Sequence, residues 1–255
     1  MLRIAKDLLI AITSIIAPPE CCVCGIRLFD NELPICKQCH SEMKLFKGER
    51  CHKCGISLPE AAANICSECS SLRSRVSFVV AVGPYDPPLS DMIRALKFQR
   101  VTAIAPKLSE LLADVLWEDG RIGSDWIVVA VPLSVGSFRR RGFNQSELIA
   151  RMLAKSLGLF YVEGALVKTR ETREQAMLSR LYRLANLEGA FQAKDRLVKG
   201  RKVLLVDDIT TTGATLEACA EALRNAGAAK VAAAVIAKTL ADRRAVTSTE
   251  GDEAR

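Results

Sequence analysis

Two adjacent carboxylates, Asp207 and Asp208, follow the apolar run 203–206, which is typical of a buried strand. A turn rich in hydroxyl groups comes next and leads into a helical pattern; it contains Thr210, Thr211, Thr212, Gly213, Ala214 and Thr215. Backbone N–H groups at a helix N-terminus, together with threonine hydroxyls, favour an anion such as phosphate. The carboxylates would repel a phosphate, so we expect them to accept hydrogen bonds from sugar hydroxyls or to face a divalent cation.

The segments on either side of these residues alternate between predicted strands and helices. Strands are predicted at 77–82, 126–131, 203–206 and 231–236, with helices beginning near 85, 105, 146 and 214. This order is typical of an α/β fold, a parallel sheet flanked by helices. Ligands bind outside the carboxyl ends of the strands in such sheets. We therefore expect the polar loops 132–145 and 207–215 to face one cleft.

A second group of reactive side chains is a cysteine repeat near the N-terminus. Eight of the ten cysteines form four C-x2-C pairs separated by gaps of 11 residues, so the segment repeats with a period of 30; the pairs are Cys21 and Cys24, Cys36 and Cys39, Cys51 and Cys54, and Cys66 and Cys69. A C-x2-C turn directs two thiolates at one metal ion, which suits tetrahedral zinc. Residues 20–70 therefore resemble a double zinc ribbon, and we expect two structural zinc ions.

Two pairings of these cysteines remain open. Sequential ribbons would each use one 30-residue copy, whereas a cross-braced module would join the first pair to the third and the second to the fourth. Equal spacing does not decide, although self-contained copies favour the sequential form. Cys22 is out of register, and His40 and His52 are neighbours of ligands that the sites do not require. The segment 21–69 has six basic and six acidic residues, which favours a platform or docking role over a grip on nucleic acid.

The charge of the 255-residue chain is unevenly distributed. The net charge is +7, and the segment 133–202 alone has 15 basic and 6 acidic residues. A local charge of +9 is consistent with an anionic ligand near this segment, as it is with a solvated basic face.

The two ends of the chain have different compositions. Residues 1–19 are predicted to contain an amphipathic helix that packs on the protein or on a partner, with peripheral membrane contact as the alternative. Its apolar run of ten residues is too short to span a bilayer, and no small-residue cleavage site follows it. We expect a cytoplasmic protein without a transmembrane segment. Residues 241–255 are polar and are predicted to be disordered.

The stretch 203–215 resembles the 5-phosphoribosyl-1-pyrophosphate (PRPP) binding motif of type I phosphoribosyltransferases, position by position. Other stretches resemble the ComF family: Leu96-Lys-Phe98, Arg141-Gly-Phe-Asn-Gln145, and Arg170-x-Thr172-x-x-Gln175 with the residues that follow. With the cysteine module, the resemblance covers residues 8 to 240. It implies a type I phosphoribosyltransferase-like domain at 75–240, PRPP with Mg²⁺ as ligand, and a link to DNA uptake in natural transformation.

The resemblance also assigns roles to residues. The loop from Thr210 to Thr215 would hold the 5-phosphate, and Asp207 and Asp208 would take the ribose hydroxyls. A second loop and two lid candidates would serve the pyrophosphate; these residues are Leu133, Ser134, Arg139, Arg141, Arg170 and Arg173. The acceptor of the phosphoribosyl group is not implied. The alternative is a non-catalytic module that uses the phosphate site and the basic segment to handle single-stranded DNA, with DNA-uptake proteins as partners.

Overall fold

The structure, a computed structural model, describes residues 19–28, 34–59, 64–71, 73–172 and 186–240. Its main sheet is parallel throughout and has the strand order β1-β7-β6-β2-β3. The strands of this sheet are β1 (Val79–Pro84), β2 (Trp126–Ala130), β3 (Phe160–Tyr161), β6 (Lys202–Thr210) and β7 (Lys230–Lys238). A separate antiparallel pair is formed by β4 (Leu166–Lys168) and β5 (Phe191–Ala193). The predicted α/β class with a parallel sheet is confirmed.

Helices cover both faces of the main sheet. The chain forms α1 (Lys37–Ser41), α2 (Ser67–Ser70), α3 (Leu89–Phe98), α4 (Ala105–Asp119), α5 (Val135–Arg141), α6 (Gln145–Leu157), α7 (Asp195–Val198) and α8 (Ala214–Asn225). Within the described residues, none of these helices is long and apolar enough to cross a bilayer.

The core is divided into two layers by the central strands, whose side chains alternate between the faces. On β6, Leu204 and Val206 pack with α3, α4 and α6, whereas Val203 and Leu205 pack with α8 and the β4–β5 pair. Because both faces are covered, these strands read as continuous apolar runs. This arrangement explains why the runs 126–131, 203–206 and 231–236 were recognisable in the sequence.

The acidic strand β6 is longer than predicted. It continues through Asp207 and Asp208 to Thr210, because Asp207 pairs with Val235 and Thr210 with Lys238 on β7. From β2 the chain moves outward to β3, and from the adjacent β6 it moves the other way to β7. Connections that diverge from neighbouring strands open a crevice at their carboxyl ends. The acidic pair therefore stands beside the switch point of the sheet.

The loop 132–145 contains a short helix that was not predicted. Residues Val135–Arg141 form α5, which is capped by Ser134 at its N-terminus and by Gly142, with φ +84°, at its C-terminus. The seven residues have few apolar side chains and a run of arginines, so no apolar face revealed the helix in the sequence. The predicted N-terminal helix at 1–19 lies outside the described residues except for residue 19, as do the predicted tail at 241–255 and the lid candidate Arg173.

The cysteine segment covers the β1 edge of the sheet. Phe46 N donates to Val82 O and Val79 N donates to Lys53 O, each at 2.9 Å. Gly55, with φ +74°, lies so close to this edge that an added Cβ would be 2.7 Å from Val79 O. An uncovered edge strand is a template for pairing with another chain. The contact therefore protects β1 as well as anchoring the cysteine segment.

Candidate functional site

The two carboxylates of β6 are buried and are held by residues from two different helices. Asp207 Oδ1 accepts a hydrogen bond from Ser146 Oγ at 2.8 Å and another from Asp208 N at 2.9 Å. Asp208 Oδ2 forms an ion pair with Lys97 Nζ at 2.6 Å. Ser146 lies in the first turn of α6, and Lys97 lies in the last turn of α3. The fold thus brings together three segments that are distant in the sequence.

The surroundings of Asp207 oppose its ionisation. Burial raises its pKa, and the neighbouring carboxylate of Asp208 raises it further, to about 7. The charge of Lys97 and the hydrogen bond from Ser146 act in the opposite direction. A buried carboxylate with a raised pKa is common where a site binds a ligand or performs chemistry. Burying two adjacent carboxylates costs free energy that apolar side chains at these positions would not cost, which makes the pair the candidate for a functional site.

The acidic pair lines a cavity of about 450 Å³, which we call the acid cavity. Its other walls come from the β2–α5 loop, from α5, from the ends of α3 and β4, from the residues after β4, and from the starts of α6 and α8. The polar residues of these walls include Lys97, Ser134, Arg140, Arg141, Gln145, Lys168, Glu171 and Thr215. Of the predicted pyrophosphate-side residues, Leu133, Ser134 and Arg141 line this cavity. The expectation that the two polar loops face one cleft agrees with this geometry.

The arginines of α5 divide between the cavity and the surface. Arg140 and Arg141 line the acid cavity, whereas Arg139, a predicted pyrophosphate-side residue, does not and is exposed. Arg140 donates to Ser137 Oγ at 3.1 Å, and Arg141 donates to Gln145 Oε1 at 2.9 Å. Arg140 was missed because the choice among three consecutive arginines depends on the rotation of a helix that the sequence did not reveal.

The threonine turn lies between the acid cavity and a second one. Thr215 lines the acid cavity, whereas the residues from Thr210 to Gly213 line an adjacent cavity of about 530 Å³ shared with Lys53 and Lys238. Gly213 has φ +81° and precedes α8 directly, a conformation that glycine adopts without strain. Thr212 Oγ1 is buried and has no hydrogen-bond partner among the described residues. An unsatisfied hydroxyl beside a helix N-terminus is well suited to a bound anion.

Glu171, which follows β4 in the chain, contacts the start of α5. Glu171 accepts a hydrogen bond from Gly136 N at 2.7 Å. This backbone donor, the Ser134 hydroxyl and the nearby charges of Lys168 and Arg140 lower the pKa of Glu171. The β2–α5 loop and the start of α5 therefore offer donors to an anionic group at this wall of the acid cavity.

The lid candidates are only partly described. Arg170 donates to Asn186 O at 2.9 Å and to Glu188 O at 2.8 Å, so it ties together the residues on either side of the segment 173–185. It does not line the acid cavity. Its lid role stays a prediction, as does that of Arg173.

The cysteines form two clusters in the sequential arrangement. The four sulfurs of each cluster lie within 4.8 Å of one another; one cluster is Cys21, Cys24, Cys36 and Cys39, and the other is Cys51, Cys54, Cys66 and Cys69. Cys24 Sγ is 3.7 Å from Cys36 Sγ, and Cys54 Sγ is 3.8 Å from Cys66 Sγ. Tetrahedral zinc with Zn–S bonds of about 2.3 Å separates its sulfurs by about 3.8 Å. A disulfide would need about 2.0 Å. The two clusters therefore fit two zinc ions.

The internal repeat of the sequence is also a structural repeat. Cys36 N donates to Cys21 Sγ and Cys66 N donates to Cys51 Sγ, each at 3.3 Å. Burial alone would raise the pKa of Cys21, but hydrogen bonds from the backbone of Cys24, Cys36 and Val23 outweigh it and lower the pKa to about 6. Thiolates are the form that binds a metal. Cys22 lies in neither cluster.

Comparison with known proteins agrees with both parts of this architecture. The double zinc ribbon domain matches residues 12–70, and the phosphoribosyl transferase domain matches residues 127–252. The DNA utilization protein YhgH of Escherichia coli (strain K12) is 39% identical over 165 residues, which are 64% of this chain and 72% of that protein. Competence protein F of Haemophilus influenzae (strain ATCC 51907 / DSM 11121 / KW20 / Rd) is 32% identical over 60% of this chain and 69% of that protein.

Among solved structures, the allosteric regulatory enzyme of purine biosynthesis is 24% identical over 56% of this chain and 30% of that chain, with a TM-score of 0.38. The family assignment rests on the sequence relatives and on the two matched domains. This chain belongs to the ComF family, phosphoribosyltransferase-like proteins with an N-terminal double zinc ribbon.

Proposed function

We propose that the acid cavity binds PRPP together with Mg²⁺ and that the protein transfers the phosphoribosyl group to an acceptor in the handling of incoming DNA. One observation carries this proposal. The buried acidic pair, Thr215 in the first turn of α8, and Arg140 and Arg141 of α5 line a single cavity of about 450 Å³. The cavity thus has acceptors for sugar hydroxyls on one wall and cations for a pyrophosphate on another. The names of the relatives, which refer to DNA utilization and competence, support the link to DNA.

The residues of this chain would act by positioning and by charge. Asp207 and Asp208 would accept hydrogen bonds from the two ribose hydroxyls, and the turn at Thr212 and Thr215 would hold the 5-phosphate. Arg140 and Arg141 would stabilise the negative charge that develops on the leaving pyrophosphate. The nucleophile of the acceptor attacks C1 of the ribose as the bond from C1 to pyrophosphate breaks, so positive charge on the sugar develops near the acidic pair.

A magnesium ion fits this site as a companion of the substrate. Mg²⁺ is usually held by one or two carboxylates, water and substrate phosphates rather than by a cage of protein ligands. Within the described residues, the two cysteine clusters are the groups whose geometry could hold a metal ion by protein ligands alone. The carboxylate oxygens of the acid cavity would therefore share the ion with the substrate and water. When bound, the ion would neutralise charge on the pyrophosphate.

Transfer can be tested by the release of pyrophosphate. The wild-type protein is incubated with PRPP, Mg²⁺ and one of a panel of nitrogenous bases, and release is compared with that of the Asp207→Asn, Asp208→Asn double variant. We expect acceptor-dependent release that the double variant lacks. The control is Asp125→Asn, which removes an exposed carboxylate paired with Lys202 outside the cavity. Release that is equal in the wild-type protein and the double variant would contradict the proposal.

A second candidate, binding of single-stranded DNA, is favoured by an aromatic and basic surface beside the cavity. Phe98 is 68% exposed and Phe138 is 49% exposed. The guanidinium of Arg141 lies 5.6 Å from the centre of the Phe98 ring, and Arg139 is exposed on the same helix as Phe138. Exposed aromatic rings next to arginines can stack on bases while the cations contact phosphates.

The two candidates are separable because Phe138 and Arg139 do not line the acid cavity. If this surface binds DNA, the Phe138→Ala, Arg139→Ala variant should bind a fluorescent oligonucleotide more weakly than the wild-type protein. The slope of log binding constant against log salt concentration should also become shallower by about one unit. PRPP binding should not change. The control is Arg151→Ala, on α6, where the guanidinium pairs with Glu147 and Glu163. Equal loss in both variants would indicate non-specific attraction only.

A further inference from the structure

Lys97 is a nearly buried lysine in the wall of the acid cavity. It belongs to the last turn of α3, and its side chain is 15% exposed. Its ammonium lies 2.6 Å from Asp208 Oδ2, whose side chain is 4% exposed. A lysine is rarely buried to this extent unless its charge is paired. The position therefore needs an explanation within the site.

The ammonium group of Lys97 compensates the buried negative charge on Asp208 Oδ2. This oxygen is buried, and no hydrogen bond with favourable geometry reaches it from the described residues. A buried carboxylate without hydrogen bonds or a counter-charge is strongly unfavourable. The ion pair with Lys97 supplies that counter-charge.

In each of the two carboxylates, one oxygen atom is held by a contact with the protein. Asp207 Oδ1 is held by Ser146 and by the backbone of Asp208, and Asp208 Oδ2 is held by Lys97. Among the described residues, no hydrogen-bond donor contacts Asp207 Oδ2 or Asp208 Oδ1, and neither atom is an unsatisfied buried one. Each carboxylate thus keeps one oxygen for a ligand while the other sets its orientation.

We infer that Lys97 is a positioning residue that fixes Asp208, so that the acidic pair presents two oxygens to the two ribose hydroxyls of the ligand. This inference rests on the proposed function. It adds Lys97 to the two aspartates as a residue on which ribose binding depends. Lys97 acts through Asp208, so its removal should affect ligands that contain the ribose and leave pyrophosphate alone. A direct contact of Lys97 with pyrophosphate would give the opposite pattern.

The first test measures dissociation constants by calorimetry for PRPP, ribose 5-phosphate and pyrophosphate, all with Mg²⁺. In Lys97→Met, which keeps the length of the apolar stem, we expect PRPP and ribose 5-phosphate to bind at least about tenfold more weakly. Pyrophosphate should bind as it does to the wild-type protein. Lys97→Arg should recover most of the affinity, because it restores the charge. A loss confined to PRPP and pyrophosphate would overturn the inference, as would equal loss in the methionine and arginine variants.

The matched control is Lys107→Met. Lys107 is another nearly buried lysine, paired with Glu110 at 2.8 Å on α4, and it does not line the acid cavity. Its removal should leave all three dissociation constants unchanged. If Lys107→Met weakens the ligands as much as Lys97→Met does, the effect is general and the inference fails.

A second measurement does not depend on a ligand. Thermal unfolding is followed for Lys97→Met, Asp208→Asn and the double variant. Loss of one partner of the buried pair should lower Tm by about 5 °C or more, whereas the double variant should lose less than the sum of the two. Additive losses would overturn the pairing. If the wild-type protein binds neither PRPP nor ribose 5-phosphate, the proposed function fails, and this cycle still decides whether Lys97 holds Asp208.

Discussion

At the scale of single residues, ionisation of the buried Asp207 carboxyl costs free energy in the folded protein. Burial and the adjacent Asp208 raise its pKa to about 7, while Lys97 and Ser146 offset part of that effect. The unfolded chain releases the same proton near pH 3.8. Between these values the native protein binds more protons than the unfolded chain, so the free energy of unfolding falls as pH rises from about 4 to 7.

Asp207→Asn should therefore stabilise the protein while it removes a ligand contact. At pH 8 we expect the free energy of unfolding to rise by on the order of 1–3 kcal/mol over the wild-type value, and the gain should shrink towards pH 4. Urea unfolding at several pH values measures this difference. The comparison is Asp125→Asn, since the pKa of that exposed carboxyl is lowered by its hydrogen bond from Lys202 and its removal should give no such gain. A less stable Asp207→Asn at pH 8 would refute this reading of the pair.

The site residues that could be predicted from the sequence are those that belong to one contiguous motif. Asp207, Asp208 and Thr215 could be found because a strand, a turn and a helix follow one another within one motif. Lys97 and Ser146 could not, since their contacts with the acidic pair depend on how α3 and α6 pack on the sheet. Lys97 did lie within a stretch that resembled the family, but the stretch gave it no role.

At the scale of elements, the second cysteine copy acts as a cover for the β1 edge of the sheet. The two copies are equivalent in backbone conformation at Gly25 and Gly55, with φ values of +73° and +74°. They differ in their surroundings, because a Cβ at Gly55 would meet Val79 O at 2.7 Å, whereas a Cβ at Gly25 would have nothing within 4 Å. Substitution by alanine at each position therefore distinguishes the cost of a positive φ, which both positions share, from the cost of a clash with β1, which only Gly55 would have.

Gly55→Ala should destabilise the protein more than Gly25→Ala. Both variants place a side chain at positive φ, which costs about 1 kcal/mol. Only Gly55→Ala also pushes the cysteine segment away from β1, so we expect its Tm to fall by about a further 3 °C or more. Hydrogen exchange should rise at residues 79–84 in this variant alone. Equal effects at the two positions would mean that the cysteine segment does not support the sheet edge.

The order of elements was predictable, and their exact ends were not. The buried strands were visible as apolar runs because both faces of the sheet are covered. The extension of β6 through Thr210 was hidden, since its last residues are polar and owe their strand conformation to pairing with β7. The short helix α5 was hidden because it is a basic surface turn stabilised by capping at Ser134 and Gly142.

At the scale of the whole molecule, two zinc-binding ribbons and a phosphoribosyltransferase-like domain share a boundary on which the threonine turn lies. The cavity beside this turn is lined by Cys54 and Cys69 of the second cluster as well as by Thr211 and Thr212. Glu217 on α8 accepts a hydrogen bond from Arg75 N at 2.8 Å, in the stretch that joins the cysteine segment to β1. The proposed phosphate turn therefore faces the second cysteine cluster across this cavity.

Calorimetric titration of the full chain with PRPP in the presence of Mg²⁺ measures whether the acid cavity binds a phosphorylated ribose. We predict saturable binding at one site per chain, weakened at least about tenfold in the Asp207→Asn, Asp208→Asn double variant because two charged acceptors for the ribose hydroxyls are lost. Asp125→Asn should bind as the wild-type protein does. No binding by the wild-type protein, or equal binding by the double variant, would contradict the claim that the acid cavity receives a phosphorylated ribose.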